Sequence, residues 1–146
     1  MPITKDCRAL VDSAHGPCPC GRVDPKGRPL AFARCCGRFL ADFEHAPAPD
    51  AQALMRSRYC AFVLEDAGYL LATWHASHRP PAITFEPGTK WLGLEVREHR
   101  QADATHAEVE FVARSRHAGR AHRLHERSRF VCEDGRWYYL DGDMIK

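Results

Sequence analysis

With 146 residues, 45% of them hydrophobic, and a formal net charge of +2, the chain is one ordinary domain or a small domain with an appendage, long enough to bury a core. Residues 1–49 carry 7 basic and 5 acidic side chains and the remainder 14 of each, so neither half is the polycation that bulk binding to nucleic acid calls for. No run approaches membrane-spanning length, and the mixed, charged residues 1–12 do not read as a signal peptide.

Residues 1–16 show no periodicity and are expected to be a mobile lead-in. Residues 17–45 hold a cysteine module, Cys18-Pro19-Cys20-Gly21 followed by Cys35-Cys36-Gly37. Four thiolates meet the needs of a tetrahedral Zn²⁺ and leave no open position, which makes the expected site structural rather than catalytic. Soft sulfur donors suit iron as well. Gly21 permits a tight turn whose amides can point at the sulfurs, and Gly37 gives freedom behind the adjacent pair. Between the pairs, residues 22–29 are turn-rich and read as a loop. His15 and His45 flank the module and could each replace one cysteine, although surface histidines need no such role. The competing reading leaves the thiols free, or makes Cys35-Cys36 a redox pair. In a chain of seven cysteines without a leader, a reducing cytoplasm and ligand thiols are the simpler expectation. Cys60 and Cys132 read as small core residues, and Cys7 has no reading.

Ala46-Pro47-Ala48-Pro49 is a short stiff linker, because proline denies helix to its predecessor. A second unit is therefore expected over residues 50–146. Asp50 is a good N-cap, and Ala51, Leu54, Met55, Tyr59, Phe62 and Val63 follow at helical spacing. Asp66 caps a second helix with Tyr69, Leu70, Leu71 and Trp74 on its buried side, and His78-Arg79-Pro80-Pro81 ends it. From Trp91 the period changes to two: Leu92, Leu94 and Val96 alternate with polar residues, as do Ala107, Val109, Phe111 and Ala113. A third strand is predicted over residues 122–133 and a fourth over 137–140. The links are 101–104, Ala118-Gly119 and Asp134-Gly135, the last a strong hairpin signal. The fold class is α+β: a Cys-rich module, then two to three helices on a curved antiparallel sheet.

On the third strand Leu124, Glu126, Ser128, Phe130 and Cys132 share one face, and Arg123, His125, Arg127 and Arg129 the other. A carboxylate on an apolar face needs a partner, and Arg56 or Arg58 on the first helix could supply it. A functional reading makes Glu126 the anchor of a ligand pocket with Arg56, Tyr59, Trp74 and His75 around it. The plainer reading is a structural ion pair, with Trp74, Trp91 and Trp137 as core. Residues 114–129 hold six arginines, three histidines and one acid, which raises RNA or DNA binding as a further option against a solvated sheet face.

Cys18-Pro19-Cys20-Gly21 with Cys35-Cys36-Gly37 resembles the SEC-C zinc motif found at the tail of the SecA translocase. Residues 54–63 (Leu-Met-Arg-Ser-Arg-Tyr-Cys-Ala-Phe-Val), Thr73-Trp74-His75, Trp91-Leu92-Gly93-Leu94, Glu126-Arg127-Ser128-Arg129-Phe130 and Trp137-Tyr138-Tyr139 resemble the bacterial YchJ family. The resemblance implies an N-terminal SEC-C module, a cone of the nuclear-transport-factor-two-like superfamily, and zinc ligation by Cys18, Cys20, Cys35 and Cys36. It implies no catalytic residue. Arg22-Val23-Asp24 departs from the motif's usual Gly-Ser-Gly, and the loop between the pairs is longer than usual. The favoured function is a zinc-stapled interaction protein with a protein partner. The alternatives are a small-molecule binder or enzyme using the cone cavity, and nucleic-acid binding through the arginine-rich strands.

Overall fold

The computed structural model describes residues 16–146; the expected lead-in, with Cys7 and His15, falls outside them apart from Gly16. The described chain begins with an irregular hairpin. Pro17 bridges Ala31 and Val23 bridges Pro29, and the Asp24 carboxylate closes the tip by accepting from the amides of Lys26 and Arg28, each at 2.9 Å. A 3-10 turn at Phe32–Arg34 and a short helix α1 (Gly37–Ala41) follow. A Cβ at Gly37 would run into the Phe32 carbonyl and ring, so only glycine lets α1 start this close to that turn.

Helix α2 (Ala51–Leu64) starts where predicted, with Asp50 accepting from the Ala53 amide at 2.7 Å. It ends at Glu65 in the left-handed region, φ 57°. Helix α3 (Ala67–Ala72) is capped by Asp66, which accepts from Tyr69 N. It stops six residues short of the predicted His78-Arg79-Pro80-Pro81 terminator, because Thr73 and His75 turn away to pair with the last strand: Tyr139 N donates to Thr73 O and His75 N to Tyr139 O, both at 2.8 Å. That short parallel pairing covers a sheet edge.

The sheet is a four-stranded antiparallel meander, β1 (Lys90–Gln101), β2 (His106–His117), β3 (Arg120–Glu133) and β4 (Arg136–Met144), in that order. Both tight hairpins place two consecutive residues at positive φ, Ala118-Gly119 (52° and 77°) and Asp134-Gly135 (54° and 77°), the primed turn geometry that matches strand twist. Register shifts at Trp91/Gly93, Val96/Glu98 and Arg129/Phe130 bend the sheet. The concave face wraps α2, with Leu54, Leu70, Val109 and Phe130 fully buried between them. Phe39 of α1 joins this core, so the cysteine module rests on the cone.

Candidate metal centre and cone cavity

The Sγ atoms of Cys18, Cys20, Cys35 and Cys36 lie within 4.8 Å of one another, and all four residues are buried. A tetrahedral site with Zn–S near 2.3 Å has sulfur–sulfur edges of about 3.8 Å. Cys20 and Cys35 are 3.7 Å apart and Cys35 and Cys36 4.0 Å apart, so the donor set fits a metal ion. Neighbouring thiols, then burial, push Cys35, Cys36 and Cys60 up, while hydrogen bonds from the other thiols pull Cys20 down, so the cluster does not ionise as equivalent groups. His45 stands outside the cluster, exposed and hydrogen-bonded to Asp42 at 3.0 Å.

Cys60 adds what the sequence did not indicate. It lies on α2 with its Sγ 3.5 Å from that of Cys18, completely buried. It forms part of a small core with the four cysteines and Phe32, flanked by Leu30, Leu64 and Leu94. Arg56 is on the same side of α2. It donates to Gln52 at 3.0 Å and to the Cys20 carbonyl at 2.8 Å, and Arg22 reaches Gln52 at 2.9 Å. The lengthened loop is thus tied to α2 by Arg22.

That geometry corrects the expected pocket. Arg56 faces the cysteine module, not the cavity. His75 is held outside by Glu133 at 2.9 Å and Ser77 at 2.7 Å, because the chain after α3 pairs with β4. Tyr59, Trp74 and Glu126 do line a cavity of about 290 Å³ between α2 and the sheet, together with Arg58, Trp91 and Tyr139. The predicted faces of β3 hold: Leu124, Glu126 and Ser128 point into the cavity.

Arg58, rather than Arg56, is the basic residue of this site. It is 6% exposed. Its Nη1 donates to Leu70 O at 2.8 Å and Thr73 Oγ1 at 2.6 Å, and its guanidinium lies over the Tyr139 ring at 4.6 Å and the Trp74 ring at 5.2 Å. Burial pushes it down to about 10, which leaves it charged at neutral pH. The structural ion pair is not formed. No carboxylate oxygen lies within 4.0 Å of Arg58 among the described residues, and Glu126 Oε2 instead accepts from Ser128 Oγ at 2.5 Å and Tyr139 Oη at 3.1 Å. Burial, then the Glu126 charge, push the Tyr139 phenol up and keep it a donor. The carboxylate crosses β4 at Gly142, where any Cβ would collide with it.

Three of the six arginines of residues 114–129 are committed to acids on the convex face. Arg127 pairs with Glu98 (2.9 Å), Glu108 (3.3 Å) and Glu110 (2.8 Å), and Arg129 with Asp141 and Asp143, both at 2.6 Å. Arg114 reaches Glu95 at 3.5 Å. Arg116, Arg120 and Arg123 are exposed and form no salt bridge among the described residues, so these pairs neutralise half of the six arginines that phosphate contacts could use. No helix of the described residues is long and apolar enough to cross a membrane.

Fold and site together define an α+β cone that carries an N-terminal cysteine knuckle of the SEC-C type. The family model described as "YchJ, middle NTF2-like domain" matches residues 50–142. The chain is 74% identical over 127 residues to a UPF0225 protein of a Polaromonas species (86% of this chain, 91% of that protein), and 66% identical over 135 residues to one from Polaromonas naphthalenivorans (88% and 98%). The solution structure of a SEC-C motif containing protein from Rhodopseudomonas palustris superposes with a TM-score of 0.73 at 31% identity, covering 90% of this chain and 100% of that one. A crystal structure of a SEC-C motif containing protein from Psychrobacter arcticus gives 0.74 at 29%, covering 92% and 85%. The chain belongs to the YchJ (UPF0225) family.

Proposed function

We propose that this is a zinc-binding accessory protein of the cytoplasm in which the ion is structural. Cys18, Cys20, Cys35 and Cys36, as thiolates, would hold one Zn²⁺ within a module of residues 17–45, and the ion would fix that module on the cone of residues 50–146 for docking to a protein partner. One observation carries the reading: four buried sulfurs from two separate chain segments lie within 4.8 Å of one another beside α2, with Cys20–Cys35 and Cys35–Cys36 near tetrahedral-edge spacing. A closed thiolate set supplies folding energy and offers a substrate no coordination position. Within the module Lys26, Arg28, Arg34 and Arg38 are exposed, Arg28 with Asp24 at 3.3 Å, and Val23 is half-exposed; such cationic side chains suit an acidic partner.

Metal analysis of reduced, purified protein tests this. One zinc per chain, lost in Cys20→Ser, is the expected result; iron in its place would change the ion, and no metal would end the proposal. The partner half is tested by affinity capture with the intact protein and with the charge-reversal variant Arg28→Glu/Arg34→Glu, which leaves the thiols untouched. Captured protein should fall at least tenfold with the variant.

A second reading, small-molecule binding in the cone, is favoured by a specific observation. The cavity is not filled by side chains, and Arg58 and Glu126 stand at it without pairing to each other.

A further inference from the structure

The cavity's polar groups are half used, in a pattern that specifies a ligand. Glu126 takes both of its hydroxyl donors on Oε2, and Oε1 has no partner among the described residues. Arg58 makes both of its hydrogen bonds through Nη1, so Nε and Nη2 have no acceptor among the described residues. Unlike His99 Nε2, which is enclosed without a partner, these atoms stay accessible on residues that line the cavity, where a ligand can supply the partners they lack. One acceptor and one donor group therefore stand open at the same cavity. Between them lies Tyr139, with its ring under the Arg58 guanidinium and its hydroxyl on Glu126. The rest of the wall is aromatic and apolar: Tyr59, Phe62, Trp74, Trp91, Phe111 and Leu124.

Charge decides between ligand classes. Arg58 and Glu126 sum to zero, so a ligand anion gains from one and is repelled by the other, and a cation meets the reverse. A neutral ring that presents an N–H to Glu126 and a carbonyl to Arg58 satisfies both groups and leaves no net charge in a low-dielectric site. The volume, about 290 Å³, is at the small end of ligand pockets and suits one or two fused rings. We infer that the cone cavity is a binding site for a small, neutral, planar heteroaromatic ligand with an amide-type donor–acceptor edge, held by Glu126 and Arg58 and stacked among the aromatic walls. This rests on the small-molecule reading of the cavity and names its ligand class.

Three probes of similar size separate the possibilities: 2-quinolone (a neutral aromatic lactam), 1-naphthoate and 1-naphthylmethylammonium. Each is titrated into the intact, metal-loaded protein by calorimetry, with tryptophan fluorescence reporting on Trp74 and Trp91. The expected result is 2-quinolone binding at least tenfold more tightly than either charged probe. In Glu126→Gln the site keeps Arg58 but loses its balancing charge, so 2-quinolone should weaken about tenfold while 1-naphthoate becomes the preferred probe. A purely structural Glu126 would not invert that preference. Unchanged zinc content and melting temperature in Glu126→Gln confirm that the variant is folded. If a charged probe binds tightest to the natural protein, or the variant's preference does not move, the ligand class is wrong. If none of the three binds, the small-molecule reading fails with it.

Discussion

The knuckle and the cone are held together by different means, although they share α2. The cone has strands of 12, 12, 14 and 9 residues and a core in which Leu54, Leu70, Val109 and Phe130 are almost wholly buried. It is an ordinary hydrophobic structure. The knuckle has two isolated bridges, a 3-10 turn and a five-residue helix, none long enough to be stable alone. Its interior is mostly sulfur, with Phe32 as its one buried aromatic ring besides the Phe39 it lends to the cone. The same residue type behaves accordingly. Cys132 on β3 is a small, partly buried packing residue, while Cys60, on the other side of α2, is pressed into a thiol cluster. Whether a cysteine packs among apolar side chains or joins the thiol cluster is set here by the face of α2 or the sheet that it occupies.

The sharpest way to break this comparison is to remove the proposed ion. Structural zinc in small modules contributes roughly 10–16 kcal/mol of binding free energy. Chelation, or Cys20→Ser, is expected to abolish amide protection across residues 17–41 while β2 and β3 stay protected. Hydrogen exchange read by mass spectrometry separates this from global unfolding, and equal loss in both regions would mean the knuckle is not a distinct unit. Next in size, Leu54→Ala empties a fully buried site in the cone and should cost about 2–5 kcal/mol in chemical denaturation, with zinc content unchanged. Asp50→Ala removes the cap of α2 and should cost about 1 kcal/mol by the same measurement.

The smallest effect is on the convex face. The hydrogen bond from His125, then the charge of Arg127, hold the Glu110 carboxyl low, and the hydrogen bonds of Arg129 do the same for Asp143. A carboxyl whose folded value lies below its unfolded one stabilises fully above the unfolded value, near pH 4, and loses that contribution as pH falls through the folded value. The urea midpoint should therefore decline below about pH 4, and decline less steeply in Arg129→Ala. Parallel pH profiles for the two proteins would mean that the pair contributes nothing measurable.

Much of this was readable from the chain. Asp50 and Asp66 announced their helices, Asp134-Gly135 its hairpin, and the alternation through β3 placed Glu126 and Ser128 on the inner face. The four cysteines, too, stood out by spacing. The failures share a cause. Helix α2 is buried on nearly every side, against the knuckle, α3 and the sheet, so its hydrophobic pattern does not say which side faces what. Arg56 and Arg58 looked equivalent in sequence, yet one serves the knuckle and the other the cavity. Cys60 is the small core residue that its local pattern indicated, and only its contact with Cys18, 42 residues away, was not legible. His75 was placed by a strand pairing that no local pattern encodes.

X-ray absorption at the zinc edge on the reduced, purified protein tests the central claim most directly. The account predicts four sulfur neighbours at about 2.3 Å and no nitrogen or oxygen in the inner sphere. A mixed sulfur–nitrogen or oxygen-containing shell, or protein that carries no zinc to measure, would contradict it.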